Sequence, residues 1–262
     1  MKVLFRFILP VLFIIFLLTY ENNEGARLIL NANNEWIKGR NHSAIEGFKF
    51  VLKKYPSGQL AEEALFRLGE IYHFSLNNSA QAISYFQEVM ELKKNGSFGL
   101  EAQKYIAEIM EFTFKDYDQA IIEYQKLIDM FDDSQENSAS QYRIASIYIK
   151  KQNHDQALAE FEVLLEKYPK STWVEETQFK ILETLYTLNR CLEVPKHYKK
   201  VMASYPGSKY RNEMKFVVAS CLEEKGMLKE AYDEFQALKT HYTHPVLLEM
   251  KLEDIEKRID KQ

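Results

Sequence analysis

Catalysis and metal binding need titratable or nucleophilic side chains at set spacings, and in this chain such residues are few and scattered. There are six histidines and two cysteines in 262 residues. His241 and His244 stand three apart and could share a helix face. Two ligands do not close a metal site, so a polar pair at a helix end is the simpler reading. Cys191 and Cys221 form no CxxC pair, and two cysteines are too few for a disulfide framework. The sequence has no Gly-rich phosphate loop, no HExxH and no GxSxG. The expectation is a protein that is not an enzyme, with no cofactor, no metal and no small-molecule substrate. Net charge is −4, which gives no electrostatic footprint for nucleic acid.

The elements that would position any site repeat along the chain. Ala44, Ala82, Ala120, Ala157 and Ala231 recur in step, with Val194 in the remaining slot, at intervals of 38, 38, 37, 37 and 37 residues. Four residues after each stands Phe48, Phe86, Tyr124, Phe161, Tyr198 or Phe235. Three further on stands Val51, Val89, Leu127, Leu164, Val201 or Leu238. A closing aromatic follows at Tyr55, Phe131, Tyr168, Tyr205 and Tyr242, with Lys93 the exception. Spacings of four, three and four predict one helix face. A second pattern precedes it: Leu68, Ile106, Ile144, Ile181 and Val218, each followed by Gly69, Ala107, Ala145, Leu182 or Ala219. Small residues there allow two helices to approach closely. Leu182 and Val194 both break the pattern in the fifth hairpin, which should be splayed or shifted.

The first helices of the hairpins carry the candidate binding residues. Two places before the recurring aliphatic lie Phe66, Lys104, Tyr142, Phe179 and Phe216. Beside them lie Arg67, Arg143 and Lys180, and Glu70, Glu108 and Glu183 follow the aliphatic. An aromatic row edged by charge fits a groove for an extended segment or a helix of another protein. Packing of the same aromatics against the neighbouring hairpin is an equal alternative. By register, Cys191 enters the second helix of the fifth hairpin and Cys221 lies near the end of the first helix of the sixth. A disulfide there needs Cα atoms within about 7 Å. Packing is the favoured reading, because the Cys221 slot holds Ile71, Ile109, Ile147 and Thr184 elsewhere.

These residues resemble the tetratricopeptide repeat over about 24–245. The usual repeat is about 34 residues, so this one is longer. The extra residues follow a Tyr-Pro-x-Ser turn, Tyr168–Pro169–Lys170–Ser171 and Tyr205–Pro206–Gly207–Ser208, with Tyr55–Pro56–Ser57 a shortened version. Period and turn are similar to the bacterial envelope subgroup represented by BamD and CpoB, although no lipobox Cys lies near residue 20. The resemblance implies an all-α fold: a right-handed superhelical solenoid of six helical hairpins, with a capping helix at about 245–260. It also implies a protein–protein interaction scaffold or adaptor of the cell envelope. The alternative is a structural component of an outer-membrane assembly or cell-division machine. The stretch Lys93 to Phe98 replaces the usual turn and is the expected joint.

Residues 1–23 differ in kind. Lys2 and Arg6 flank an apolar run, and residues 3–20 as a helix would be roughly 27 Å long. That suits a membrane anchor or a signal peptide; poor cleavage residues after Tyr20 favour the anchor. The charge distribution then predicts a single-pass protein of the bacterial inner membrane with residues 24–262 in the periplasm, or a periplasmic protein if the segment is cleaved.

Overall fold

The computed structural model describes residues 24–93 and 95–261, and every regular element among them is helical. The chain divides into two compact units, Met1–Phe131 and Asp132–Gln262. The first contains the helical stretch 24–37 (α1), α2 (Asn41–Lys54), α3 (Gln59–Glu70), α4 (Ser79–Leu92), α5 (Gly99–Glu108) and α6 (Tyr117–Met130). The second contains α7 (Ser134–Lys150), α8 (His154–Lys167), α9 (Val174–Thr187), α10 (Val194–Ser204), α11 (Arg211–Glu224), α12 (Leu228–Gln236) and α13 (Pro245–Ile259). Consecutive helices pack as antiparallel pairs, giving three hairpins in each unit, and α13 closes the second unit against α12.

The repeated residues form the cores. Phe48, Phe86, Phe161 and Phe235 are fully buried, and so are Ala44, Ala82, Ala120, Ala157 and Ala231. The small-residue approach is tight where expected. A Cβ on Gly69 would lie 2.5–2.8 Å from atoms of the Phe86 ring. A Cβ on Gly47 would lie 2.9 Å from that of Ala32.

Each hairpin turns through one left-handed residue: Gly39, Asn77, Lys115, Gln152, Asn189 and Gly226, all with φ between 52° and 76°. Their spacing repeats that of the alanines, so the turn and the core share one phase. Asn78, Asp116 and Asn153 then accept a hydrogen bond from the backbone N–H three residues on and cap α4, α6 and α8. The two repeat lengths also acquire a cause. Leu68 to Ala82 and Ile106 to Ala120 are 14 residues apart, whereas Ile144 to Ala157, Ile181 to Val194 and Val218 to Ala231 are 13 apart. The extra residue is absorbed by π-helical turns that extend α3 (Ile71–Ser75) and α5 (Ile109–Phe114).

The fifth hairpin departs as expected. The second helix of the other described hairpins starts two residues after the left-handed turn, but α10 starts at Val194, five residues after Asn189. Pro195 occupies its first turn, the only part of a helix where a missing N–H is harmless. Residues 191–193 form a turn, stapled by two hydrogen bonds from Arg190 to Glu193. Cys191 in that turn is bonded to Cys221 of α11, with Cα atoms 5.2 Å apart. The thiols therefore form a bridge rather than the packing contact favoured from sequence; the late start of α10 carries Cys191 off the helix and against α11.

Three expectations are corrected. The closing aromatics Tyr55, Phe131, Tyr168 and Tyr205 are C-cap residues, not members of a helix face, and Tyr242 lies beyond the end of α12. The turn at Lys93 to Phe98 is tied at its far end, where the buried Glu62 carboxylate accepts the Phe98 N–H at 2.7 Å. The expected placement in the bacterial inner membrane with a periplasmic repeat domain is overturned. No helix among the described residues is long and apolar enough to cross a membrane. Even α7 has only 17 residues and includes Glu136, Arg143 and Lys150. The segment 3–20 lies outside the described residues.

Candidate functional site

α3, α7, α9 and α11 each bring their row aromatic against a ring from the turn that leads into the next first helix or, for α11, into α13, whereas α5 carries Lys104 in that slot. In the first unit, Phe66 of α3 packs on Phe98, the N-cap residue of α5, with centroids 4.8 Å apart. Arg67 pairs with Glu70 at 2.6 Å and lays its guanidinium over Phe66 and Phe98. Tyr105 completes the cluster against Phe86 and Phe66. Glu70 is held above the usual carboxylate range by burial, against the pull of Arg67, with Glu101 adding to the rise.

In the second unit, Tyr142 of α7 stacks on Trp173, the N-cap residue of α9, at 4.4 Å. Phe179 of α9 stacks on Tyr210, the N-cap residue of α11, at 5.4 Å. Phe216 of α11 stacks parallel on Tyr242 at 4.6 Å. Glu176 ties two of these pairs together: it accepts from the Tyr142 hydroxyl at 2.7 Å and from the Tyr210 hydroxyl at 2.9 Å. The serines of the Tyr-Pro-x-Ser turns fix the turn rings. Ser171 accepts from the backbone N–H of Trp173, and Ser208 from that of Tyr210.

The row therefore splits into two kinds of residue. Phe66 is 5% exposed and Tyr142 6%; these two are packing. Phe179 and Phe216 are partly buried, as are Lys104, Arg143 and Lys180. Phe179 and Phe216 open into a recess of about 460 Å³. Glu183 and Tyr186 of α9 form one wall, Glu213, Val217 and Ser220 of α11 the floor, and Tyr242, His244 and Leu247 the far side. Lys180 pairs with Glu183 at 2.8 Å. Glu213 accepts from the Thr243 hydroxyl through Oε1, while its buried Oε2 has no hydrogen-bond partner. Burial, with Glu213 and Glu183 adding to it, pushes the Tyr242 phenol up to about 12.

Sequence reasoning missed the covering rings Phe98, Trp173 and Tyr210, and with them Glu176 and Glu213. A signal was present: these rings follow Phe66, Tyr142 and Phe179 by 32, 31 and 31 residues. It also missed a clip that recurs in one hairpin of each unit, buried in the first and partly buried in the second. Gln103 donates to Glu123 and Gln141 to Glu160, each carboxylate also accepting from Gln119 or Gln156.

Profiles described as tetratricopeptide repeat match residues 62–95 and 139–171, the hairpins α3–α4 and α7–α8. No curated protein matches the sequence. Among solved structures, a tetratricopeptide repeat protein from Parabacteroides merdae aligns with 89% of this chain and 86% of its own at 17% identity, with a TM-score of 0.53. YrrB, described as a tetratricopeptide protein with an unusual peptide-binding site, aligns over 81% and 99% at 14% identity and a TM-score of 0.53. PilF of Pseudomonas aeruginosa aligns over 89% and 97% at 12% identity and a TM-score of 0.51. The fold is that of the tetratricopeptide repeat proteins, and the repeat itself is matched in one hairpin of each unit.

Proposed function

We propose that this chain is a non-enzymatic interaction scaffold that holds an extended segment or a helix of a partner protein on the face made by the first helices of its hairpins. The observation carrying the reading is the recess between Phe179, Phe216 and Tyr242. Its aromatic walls are already stacked in place, so little side-chain freedom is lost when a ligand enters. Residues that dominate binding energy cluster in well-packed pockets and are enriched in aromatics such as Tyr242. On the first helices of their own units, Arg67 and Lys104, and Arg143 and Lys180, are the charged residues that would orient a partner. The peptide-binding site described for YrrB shows that this fold accommodates such a role.

The test is selection of a random displayed-peptide library on the intact protein, counter-screened with a Phe179→Ala/Phe216→Ala double variant. Enriched peptides should lose affinity for the variant by about thirtyfold or more, the loss that even one truncated hot-spot residue brings. Peptides that bind both proteins equally, or no enrichment, would remove the reading. A second reading, a structural part of a larger assembly machine of the BamD or CpoB kind, is favoured by the 37–38-residue period and the Tyr-Pro-x-Ser turns. It predicts partner contacts that survive loss of Phe179 and Phe216.

A further inference from the structure

The recess has a charge as well as a shape. Its floor carboxylate Glu213 has one oxygen engaged by Thr243 and the other buried without a donor. The lysine nearest in sequence, Lys215, is engaged elsewhere, with Glu234 at 2.9 Å. Lys180 is engaged by Glu183 at 2.8 Å. The walls are the rings of Phe179, Tyr186 and Tyr242, whose negative faces favour a cation. Apolar surface from Val217 and Leu247 lies beside the carboxylate. A carboxylate oxygen lacking a donor, among aromatic rings and next to an apolar patch, is the complement of a long basic side chain with a charged head and an aliphatic stem.

Resting on the scaffold reading above, we propose that the recess is a subsite for one arginine or lysine of the partner segment, with an apolar residue beside it. The head group donates to Glu213 and its stem lies along Val217 and the rings.

The experiment uses the peptides enriched on the intact protein, measured by fluorescence polarisation. Enriched sequences should share an Arg or Lys next to an apolar residue. Citrulline for that arginine, or norleucine for that lysine, should weaken binding by about tenfold or more. Glu213→Gln should weaken the parent peptide to the same degree and should add nothing to the loss of the substituted peptide. Raising the salt should weaken the parent more than the substituted peptide. Thermal melts of each variant report folding, and the peptide substitutions on wild-type protein stand even where Glu213→Gln is unstable. Enriched peptides with no basic residue, or basic ones indifferent to both substitutions, would overturn the inference. If those peptides still needed Phe179 and Phe216, the scaffold reading would survive without it. Peptides that ignore the aromatic pair as well would end both.

Discussion

At the scale of single residues, an aromatic side chain on the first-helix face has a role set by what covers it. Phe66 and Tyr142 are covered on all sides and hold neighbouring elements together, while Phe179 and Phe216 keep part of a ring in the open. The residue types of this row were legible from spacing alone. Their division was not: each of the four meets a ring from a turn, and how much of it stays open depends on packing that no helical period marks. A second residue-scale effect concerns His197. Its ring lies in a cleft of about 500 Å³ lined by Leu158, Ile181 and Leu185, with Glu162, Arg190, Glu193, Lys196 and Lys200 around the rim. Nε2 is buried without a partner. Burial first, and Lys200 second, lower its pKa from the ordinary 6.5. The folded state then binds fewer protons than the unfolded chain as pH falls. Its contribution to stability is complete above 6.5 and is lost as pH drops below that value toward the folded pKa. The urea midpoint of the wild type should therefore fall on going from above to well below 6.5, and His197→Gln should fall less. An equal fall in both proteins would mean that other groups govern the acid sensitivity.

At the scale of elements, the helices were legible because the 3.6-residue period is written in large apolar side chains, and even the late start of the fifth hairpin's second helix announced itself through Leu182 and Val194. Helix ends were less legible. The π-helical turns after α3 and α5 leave only a one-residue change in period, and the late start of α10 depends on where Pro195 can be tolerated. Close approach of helices is the element-scale property most open to test. Gly69 faces the Phe86 ring, which is fully buried and has no room to retreat. Alanine would gain about 1 kcal/mol from helix propensity. Forcing a methyl into a packed ring contact costs about 1–3 kcal/mol. Gly69→Ala should thus destabilise the first unit by about 1 kcal/mol net, read as a lower urea midpoint with unchanged helicity. A stabilised variant would show that α3 and α4 can move apart freely.

For the whole molecule, the consequence of a hairpin array is that stability is local. Each repeat contacts its neighbours, so a change in one place is felt mainly there. The Cys191–Cys221 bridge, buried in the core of the second unit, lets this be examined at a single crosslink. It joins a turn to a helix in the second unit, and the chain has no other cysteines. Closing a loop over a sequence separation of 30 stabilises by about 3–4 kcal/mol in the chain-entropy account. That is a large fraction of the margin a folded domain has, about 5–15 kcal/mol. Reduction, or Cys191→Ser with Cys221→Ser, should therefore lower amide protection strongly. The loss should centre on α9, α10 and α11, because these are the helices the bridge holds in register. Peptides from α2 to α6 should exchange as before. Hydrogen exchange followed by mass spectrometry reads both outcomes in one experiment. Equal loss along the entire chain would show that the array unfolds as a single cooperative body. Unchanged protection around α10 would show that the staple from Arg190 to Glu193 and the packing of Val194 hold that turn without the bridge.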